Sequence, residues 1–177
     1  ADYTLNKMKE LSYDEAYVDK YGNVIGIMKG KGNGKSIMLN CHLDVVHEGD
    51  ESLWKYPPYS GEIAEGAIWG RGASDTKGTF AIQLYTPYIL KKENLLPNGD
   101  IYVLGVVHEE DAGFGSMMLG QDNFKTDYAI VGEATENDIA TSARGRVAVD
   151  IIIKGKSAHA SIPETGVNPF DFLGKFL

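Results

Sequence analysis

The sequence predicts an α/β fold in which a mostly parallel sheet is flanked by helices. Short apolar segments alternate with helical patterns over residues 1–142, and this alternation is typical of α/β sheets. The segment at 101–107 is a continuous apolar run, as in a strand covered on both faces. Three predicted strands also end in imidazole or carboxylate side chains, and the carboxyl ends of strands line the binding crevice in such sheets.

Turn residues separate the predicted elements. Residues 4–11 have the pattern of the last turns of a helix, and the glycines at 30–34 predict a turn into a buried strand. Residues 62–69 predict a hairpin that turns at Glu65-Gly66. The other predicted strands are 13–18, 24–28, 36–46, 101–107 and 128–131, and the predicted helices are 79–94 and 113–119.

Composition and charge exclude several classes of protein. With 43% hydrophobic and 24% charged residues among 177, the chain has an ordinary globular composition. The net charge of -8 argues against binding to nucleic acid or an anionic membrane surface, because both require a basic face. No apolar run approaches a membrane span, and the single cysteine, Cys41, excludes an internal disulfide framework. We therefore expect a cytoplasmic protein.

Two glycine-containing stretches match nucleotide-binding motifs only in part. Gly34-Lys35-Ser36 lacks the first glycine of a phosphate loop, since Lys29 stands there, and a strand is predicted to follow. The glycines at 70 and 72 are not followed by the rest of a dinucleotide fingerprint. Neither stretch predicts a nucleotide site.

His42 and Asp44 are the first candidate functional pair. They follow the apolar residues 37–39 in a predicted strand, where side chains two residues apart point to the same side. A carboxylate there can accept one ring N–H and leave the other nitrogen free for a metal. The alternative is a histidine whose hydrogen bond is satisfied by a neighbouring acid.

Further acidic residues follow the other predicted strands. Glu109-Glu110 and Glu133 come after strands, and Asp75 lies in a glycine-rich turn. Acids are costly to bury together unless a cation lies between them. One imidazole with several carboxylates can bind a divalent ion, with Zn²⁺ as the first candidate, and a spare carboxylate can act as general base. Each acid taken alone has the alternative of being a surface residue.

The order and spacing of these residues resemble the di-zinc amidohydrolases. The motifs are His42-Leu-Asp44-Val-Val, Trp69-Gly-Arg-Gly-Ala-Ser-Asp75-Thr-Lys-Gly78, Glu109-Glu110 and Gly132-Glu133. The resemblance covers nearly the whole chain. The family contains acetylornithine deacetylase, succinyl-diaminopimelate desuccinylase, aminoacylase and carboxypeptidase G. It implies a catalytic domain of the zinc-exopeptidase type with two zinc ions, for which cobalt or manganese are alternatives.

The resemblance implies that Asp75 bridges the two zinc ions. His42 and Glu133 would complete the site of one ion, and Glu110 would bind the other. Members of the family often have a cis peptide bond after the bridging aspartate, which corresponds here to Asp75-Thr76.

The resemblance also implies catalytic roles. Glu109 would be the base that activates the attacking water, and Asp44 would orient the ring of His42. A histidine in the family's second domain reaches the active site of a partner subunit and contacts the substrate's scissile carbonyl. His159 corresponds to that histidine; an exposed loop histidine is the alternative.

Two domains are expected. Residues 1–142 correspond to the catalytic domain, and residues 143–177 to the beginning of an α+β lid or dimerisation domain. The second domain should have a β-rich run at 146–154 and a helix near Pro169. The family has a longer N-terminal helix and a further zinc-binding histidine near its C-terminus, whereas no histidine follows His159 here. We therefore expect part of a longer, homodimeric enzyme, inactive on its own.

The expected activity is zinc-dependent hydrolysis of the amide bond of an N-acyl amino acid. The form of the motif at 71–78 favours a deacetylase or desuccinylase. A dipeptidase or carboxypeptidase of the same family is the first alternative, so the expected substrates are N-acyl amino acids or dipeptides. A non-catalytic metal-binding or dimerisation fragment is the second alternative. Glu109 argues against it, since a binding module does not need a spare base.

Overall fold

The computed structural model describes residues 1–145 and 147–176. The chain divides into two compact units, residues 1–138 and the residues from 139 onward. The first unit contains a five-stranded sheet with helices on both faces. Among the described residues, no helix has the length and apolar character needed to cross a membrane.

Four of the five strands of the central sheet run in one direction. These strands are β1 (Glu15–Val18), β2 (Val24–Met28), β3 (Ile37–His42), β6 (Ile101–Val106) and β7 (Tyr128–Val131), and β4 (Glu62–Ala64) and β5 (Ala67–Trp69) form a separate hairpin. The strand order in the sheet is β1-β2-β6-β3-β7. β3 is parallel to β6 on one side and to β7 on the other. β1 and β6 are both antiparallel to β2, which is therefore the reversed strand.

Helices pack on both faces of the sheet. Helices α1 (Asp2–Glu10) and α2 (Gly78–Lys92) cover one face, and α3 (Phe114–Gln121) covers the other. Val24 and Met28 of β2 belong to the apolar cluster under α1 and α2, whereas Ile25 and Ile27 belong to the cluster under α3. This is the alternation of side chains expected in a strand. The predicted α/β fold is confirmed.

Most predicted elements are present near their predicted bounds. β2 and β7 have the predicted limits. The hairpin of β4 and β5 turns at Glu65 and Gly66, whose φ angles of 54° and 75° are those of a two-residue hairpin turn. β3, a strand, follows Gly34-Lys35-Ser36, in agreement with the rejection of a phosphate loop.

The strand predicted at 36–46 is shorter than expected. β3 ends at His42, which pairs with Val106 at the end of β6. One more backbone bond follows, from the N–H of Leu43 to the carbonyl oxygen of Val106 at 2.8 Å. β6 ends at this level and β7 ends two residues earlier, opposite Asn40, so Asp44 lies beyond the strand.

The β-rich run predicted at 146–154 is wrong for the residues that can be described. Arg146 lies outside the described residues, and residues 147–154 form no strand. Among the described residues of the second unit, the strand-like pairing is an isolated bridge between Lys156 and Val167. A β-prone run without a neighbouring strand has no ladder in which to place its backbone hydrogen bonds. Helix α4 (Phe170–Phe176) begins where a helix is predicted.

Gly26 is a point of close approach between β2 and the residues packed on it. A Cβ atom at Gly26 would lie 2.6 Å from Sδ of Met8 and 2.7 Å from Cδ1 of Tyr13. Gly26→Val should lower the free energy of unfolding by about 1–3 kcal/mol, because a packed core accepts extra methyl groups only with strain. Urea denaturation measures the change.

Gly120→Ala is the matched control. Gly120 lies in α3, and a Cβ atom there would meet nothing within 4 Å. This substitution should leave the free energy of unfolding unchanged or raise it by up to about 1 kcal/mol, since glycine is a weak helix former. A Gly26→Val protein as stable as the wild type would contradict the close packing of Met8 and Tyr13 on Gly26.

Candidate metal centre

The carboxyl ends of β6, β3 and β7 lie side by side and carry the candidate site. β3 ends in His42, Glu109-Glu110 lies in the loop after β6, and Glu133 follows β7. The three strands are parallel neighbours, so their carboxyl ends meet at one edge of the sheet. The turn before α2 adds Asp75.

His42 is the buried centre of this edge, with 1% of its surface exposed. Its Nδ1 lies 2.9 Å from the carbonyl oxygen of Asp44, and its Nε2 lies 2.9 Å from Oδ1 of Asp75. Because a carbonyl oxygen only accepts, Nδ1 carries a hydrogen. Burial lowers the pKa of His42, but the hydrogen bonds to Asp75 and Asp44 outweigh it and raise the pKa. Nε2 is therefore the nitrogen where a metal ion would replace a proton.

The carboxylate of Asp44 holds the backbone of the acid pair. Its oxygens accept hydrogen bonds from the backbone N–H groups of Glu109 and Glu110, at 3.2 and 3.1 Å. The same carboxylate is 3.7 Å from Nδ1 of His42. The shorter contact to the ring, 2.9 Å, comes from the carbonyl oxygen of Asp44. Asp44 therefore contacts His42 and the acid pair through different groups.

Asp75 lies in an irregular turn, Ala73–Lys77, that leads into α2. The turn follows Gly72, whose φ of 80° lies in the left-handed region that favours glycine. The Asp75-Thr76 peptide bond is cis, as the resemblance implies. Thr76 is fully buried, and its hydroxyl donates to the carbonyl oxygen of Gly132 at 3.1 Å. This bond ties the turn to the end of β7.

His42, Asp75 and Glu110 form a group of possible metal ligands. One ligand atom of each lies within 4.8 Å of the others. Burial raises the pKa of Glu133; His42 lowers it, and the charges of Asp75, Glu109 and Glu110 raise it further. Glu133 is therefore close enough to His42 and to the other three carboxylates to interact with them electrostatically.

This donor set fits a divalent metal ion. Zinc binds imidazole nitrogen and carboxylate oxygen at about 2.0–2.2 Å, so ligand atoms already within 4.8 Å of one another need only small movements to share an ion. A divalent cation among the carboxylates would also remove the repulsion that raises the pKa of Glu133.

Comparison with protein families identifies the relationship. The model described as peptidase family M20/M25/M40 matches residues 38–167. This chain belongs to peptidase family M20/M25/M40. The matched segment includes His42, Asp75, Glu110 and Glu133. The resemblance inferred from the motifs is confirmed.

Curated relatives of this M20/M25/M40 chain include probable succinyl-diaminopimelate desuccinylases. The one from Staphylococcus epidermidis is 28% identical over 99% of this chain and 44% of its own length. The one from Staphylococcus aureus is 34% identical over 82% of this chain and 37% of its own length. The chain thus spans less than half the length of either relative.

Solved structures of a metallo-carboxypeptidase and an aminopeptidase share this fold. The M20 family metallo-carboxypeptidase Sso-CP2 from Sulfolobus solfataricus has a TM-score of 0.65 and 26% identity, covering 73% of this chain and 31% of its own. The aminopeptidase PepT from Bacillus cereus has a TM-score of 0.62 and 23% identity, covering 98% of this chain and 48% of its own. The second likeness shows the fold alone.

The three other histidines of this M20/M25/M40 chain make contacts outside the group of possible metal ligands. His159 lies in the second unit, where its Nδ1 is 2.8 Å from the hydroxyl of Ser161. The exposed His47 accepts a backbone N–H from its own loop at 3.0 Å. His108 packs edge-on against Phe114, with ring centroids 6.2 Å apart. The substrate contact that the resemblance implies for His159 stays a prediction.

The sequence pattern does not reveal Asn23 as a residue of this site. It follows Gly22 in what reads as a simple turn, yet its side chain is fully buried and accepts the backbone N–H of Val107 at the base of the acid-pair loop. The available signal is Asp19, four residues earlier, because an aspartate can fold such a turn through its own carboxylate.

Cys41, next to His42, should resist alkylation in the folded M20/M25/M40 chain. Burial raises the pKa of its thiol to about 12. At pH 8 the thiolate fraction falls to about one in ten thousand, against about a quarter for an unperturbed thiol. Iodoacetamide should therefore label the folded protein at least about 100-fold more slowly than the unfolded protein.

Mass spectrometry at pH 8, with and without guanidinium, measures the two labelling rates. Glutathione under both conditions is the control for the effect of the denaturant on the reagent. Rates within tenfold of each other would show that Cys41 is accessible in the folded state.

Proposed function

We propose that this chain supplies the metal-binding part of a hydrolase that cleaves the amide bond of an N-acyl amino acid, of desuccinylase or deacetylase type. The observation that carries the proposal is the approach of His42, Asp75 and Glu110 within 4.8 Å, with Glu109 beside them. The relatives named as probable desuccinylases support the substrate class. The proposal concerns a protein of the relatives' full length.

Zinc is the proposed metal, with cobalt and manganese as alternatives, and two ions are proposed at full length. When bound, the metal polarises the substrate carbonyl and acidifies the attacking water. His42 would bind through Nε2, Asp75 would bridge the two ions, and Glu133 and Glu110 would each bind one. The carbonyl oxygen of Asp44 fixes the ring of His42 so that Nε2 faces Asp75.

Glu109 is the proposed general base. It would accept a proton from the attacking water and pass it to the leaving amine. The bond from its backbone N–H to Asp44 fixes its position relative to the neighbouring ligand Glu110. His159 is proposed to contact the scissile carbonyl in the active site of a partner subunit, in a cytoplasmic homodimer of full-length chains.

A dipeptidase or carboxypeptidase is the second candidate function. The likeness to the Sulfolobus metallo-carboxypeptidase favours it. Both activities use the same ligands and base, so the difference lies in the group bound beside the scissile bond. Turnover of N-succinyl amino acids against dipeptides separates the two. Residues 1–142 are the proposed catalytic part and 143–177 the start of the lid or dimerisation domain.

The chain on its own should bind at most one zinc ion tightly and should not hydrolyse N-acyl amino acids. His42, Asp75 and Glu133 supply three ligands to one ion, whereas a second ion would have Glu110 and a share of Asp75. Because the pKa of His42 is raised above its ordinary value, zinc competes with a proton at Nε2. Affinity should therefore fall as the pH drops through that raised pKa, by about tenfold per pH unit for one displaced proton.

Isothermal titration across pH 6–8 measures this dependence. His42→Ala should abolish binding, and His47→Ala, which changes an exposed histidine, should leave it unchanged. Two tightly bound zinc ions per chain, with measurable turnover, would contradict the prediction.

In a protein of the relatives' full length, Glu109→Gln should retain zinc and lose most of its turnover. The amide keeps the shape of the side chain but cannot accept the proton, and a positioned general base contributes about 10²–10⁴-fold. Metal analysis and kcat on N-succinyl substrates test both parts. Loss of zinc from the variant would show that Glu109 is a ligand instead.

A further inference from the structure

We propose that Asn23 is a positioning residue for the acid pair Glu109-Glu110. Asn23 lies directly before β2 in the turn between β1 and β2, and its side chain is fully buried. The inference deepens the proposed function and rests on it for the roles of the two glutamates. The contacts that carry it all lie within the first unit.

The Asn23 side chain joins three separate parts of the chain. Its Oδ1 accepts the backbone N–H of Val107, at the end of β6, at 3.1 Å. Its Nδ2 donates to Oδ2 of Asp19 at 2.8 Å and to the carbonyl oxygen of Gly115, in the first turn of α3, at 3.2 Å. One amide therefore links the β1–β2 turn to both ends of the loop that carries the acid pair.

Asp19 fixes the orientation of Asn23 independently of that loop. Its Oδ1 accepts the backbone N–H groups of Tyr21 and Asn23, at 2.8 and 2.9 Å. Gly22 closes the same turn with a φ of 100°, a conformation that favours glycine. The turn thus holds the Asn23 amide ready to accept from Val107 and to donate to the carbonyl of Gly115.

The acid-pair loop needs such support because its backbone is in a disfavoured conformation. His108 and Ala112, on either side of the acid pair, have φ angles of 55° and 71°. Non-glycine residues adopt this region only when the surrounding contacts over-determine it. Within the loop, the N–H of Gly115 donates to the carbonyl of Val107 at 2.9 Å, which closes the loop at its base.

The acid pair is therefore held from two sides. The carboxylate of Asp44 binds the two N–H groups of Glu109-Glu110, and Asn23 binds both ends of the loop. The absence of a side chain at Gly115 leaves room for Asn23, because a Cβ atom there would lie 2.3 Å from Oδ1 of Asn23. Without Asn23, Asp44 would retain the pair's N–H groups and Gly115 would still bind Val107, but both ends of the loop would lose their connection to the β1–β2 turn.

Two substitutions of Asn23 test the proposal on the chain as it is. Asn23→Ala removes all the side-chain bonds. Asn23→Asp keeps the shape and the acceptor for Val107, but it replaces the donor to Asp19 and Gly115 by a second acceptor. Asp19→Ala is the additional variant, because it keeps Asn23 but removes the hydrogen bonds from Asp19 that orient its side chain. If the Asn23 variants do not fold, this variant tests the proposal.

Two control variants separate positioning from loss of stability. Val103→Ala truncates a fully buried side chain of β6 and should lower global stability without changing the loop. Asn33→Asp makes the same chemical change at an exposed position. The main readout is amide hydrogen exchange of Glu109 and Glu110 by NMR, corrected for global stability. The second readout is the affinity for the zinc ion assigned to Glu110 in a protein of the relatives' full length.

The Asn23 variants should speed the corrected exchange of both amides at least about tenfold and, in a protein of the relatives' full length, weaken binding of the zinc ion assigned to Glu110 about tenfold, the lower end of the effect of groups that support metal ligands. Val103→Ala and Asn33→Asp should change neither quantity. Exchange in the Asn23 variants equal to that in Val103→Ala would overturn the proposal. A protein of the relatives' full length that binds no zinc would refute the proposed function instead, and the exchange result would still decide the role of Asn23.

Discussion

The crowding of negative charge at one edge of the sheet is the constraint on which the site depends. Glu133 interacts with the carboxylates of Asp75, Glu109 and Glu110 and with the buried imidazole of His42, and its pKa is raised first by burial and then by the charges of the other three acids. The packing of β3 and β6 does not require this arrangement, since their apolar residues lie in the two core clusters. Charges are brought together against their repulsion where a cation is to be bound or a proton transferred.

Asp75 and the acid pair are anchored by hydrogen bonds that do not use the proposed ligand carboxylates. The turn that carries Asp75 is tied to β7 by the hydroxyl of Thr76. The acid pair is tied to Asp44 by two N–H groups. In both cases the anchoring bond uses a part of the chain other than the carboxylate of the proposed ligand. Oδ1 of Asp75 lies 2.9 Å from Nε2 of His42, where a metal ion would replace a proton. A site built in this way keeps its geometry while its charges remain available.

The strand ends and the acids that follow them could be predicted from the sequence. Apolar runs with clear turn residues locate β2 and β7 at their bounds, and the parallel order of β6, β3 and β7 brings His42 and Glu110 together. The end of β3 at His42 could not be predicted, because it depends on where the partner strands end. The β-rich run near 150 shows again that local sequence alone does not determine a strand. Its residues favour extended structure, but a strand forms only where a neighbouring strand is available to pair with it.

The roles that the sequence does not reveal are those in which a side chain binds the backbone of a distant segment. Asp44 illustrates the reason. From the sequence its carboxylate is the natural partner of His42, yet in the structure that carboxylate binds the acid-pair loop and the carbonyl oxygen orients the ring. The loop comes from a distant part of the sequence, so no spacing rule relates it to Asp44. A carboxylate that looks like part of a metal-binding motif is thus also a connection between two strands, and its replacement by asparagine would exchange one acceptor for a donor facing two N–H groups.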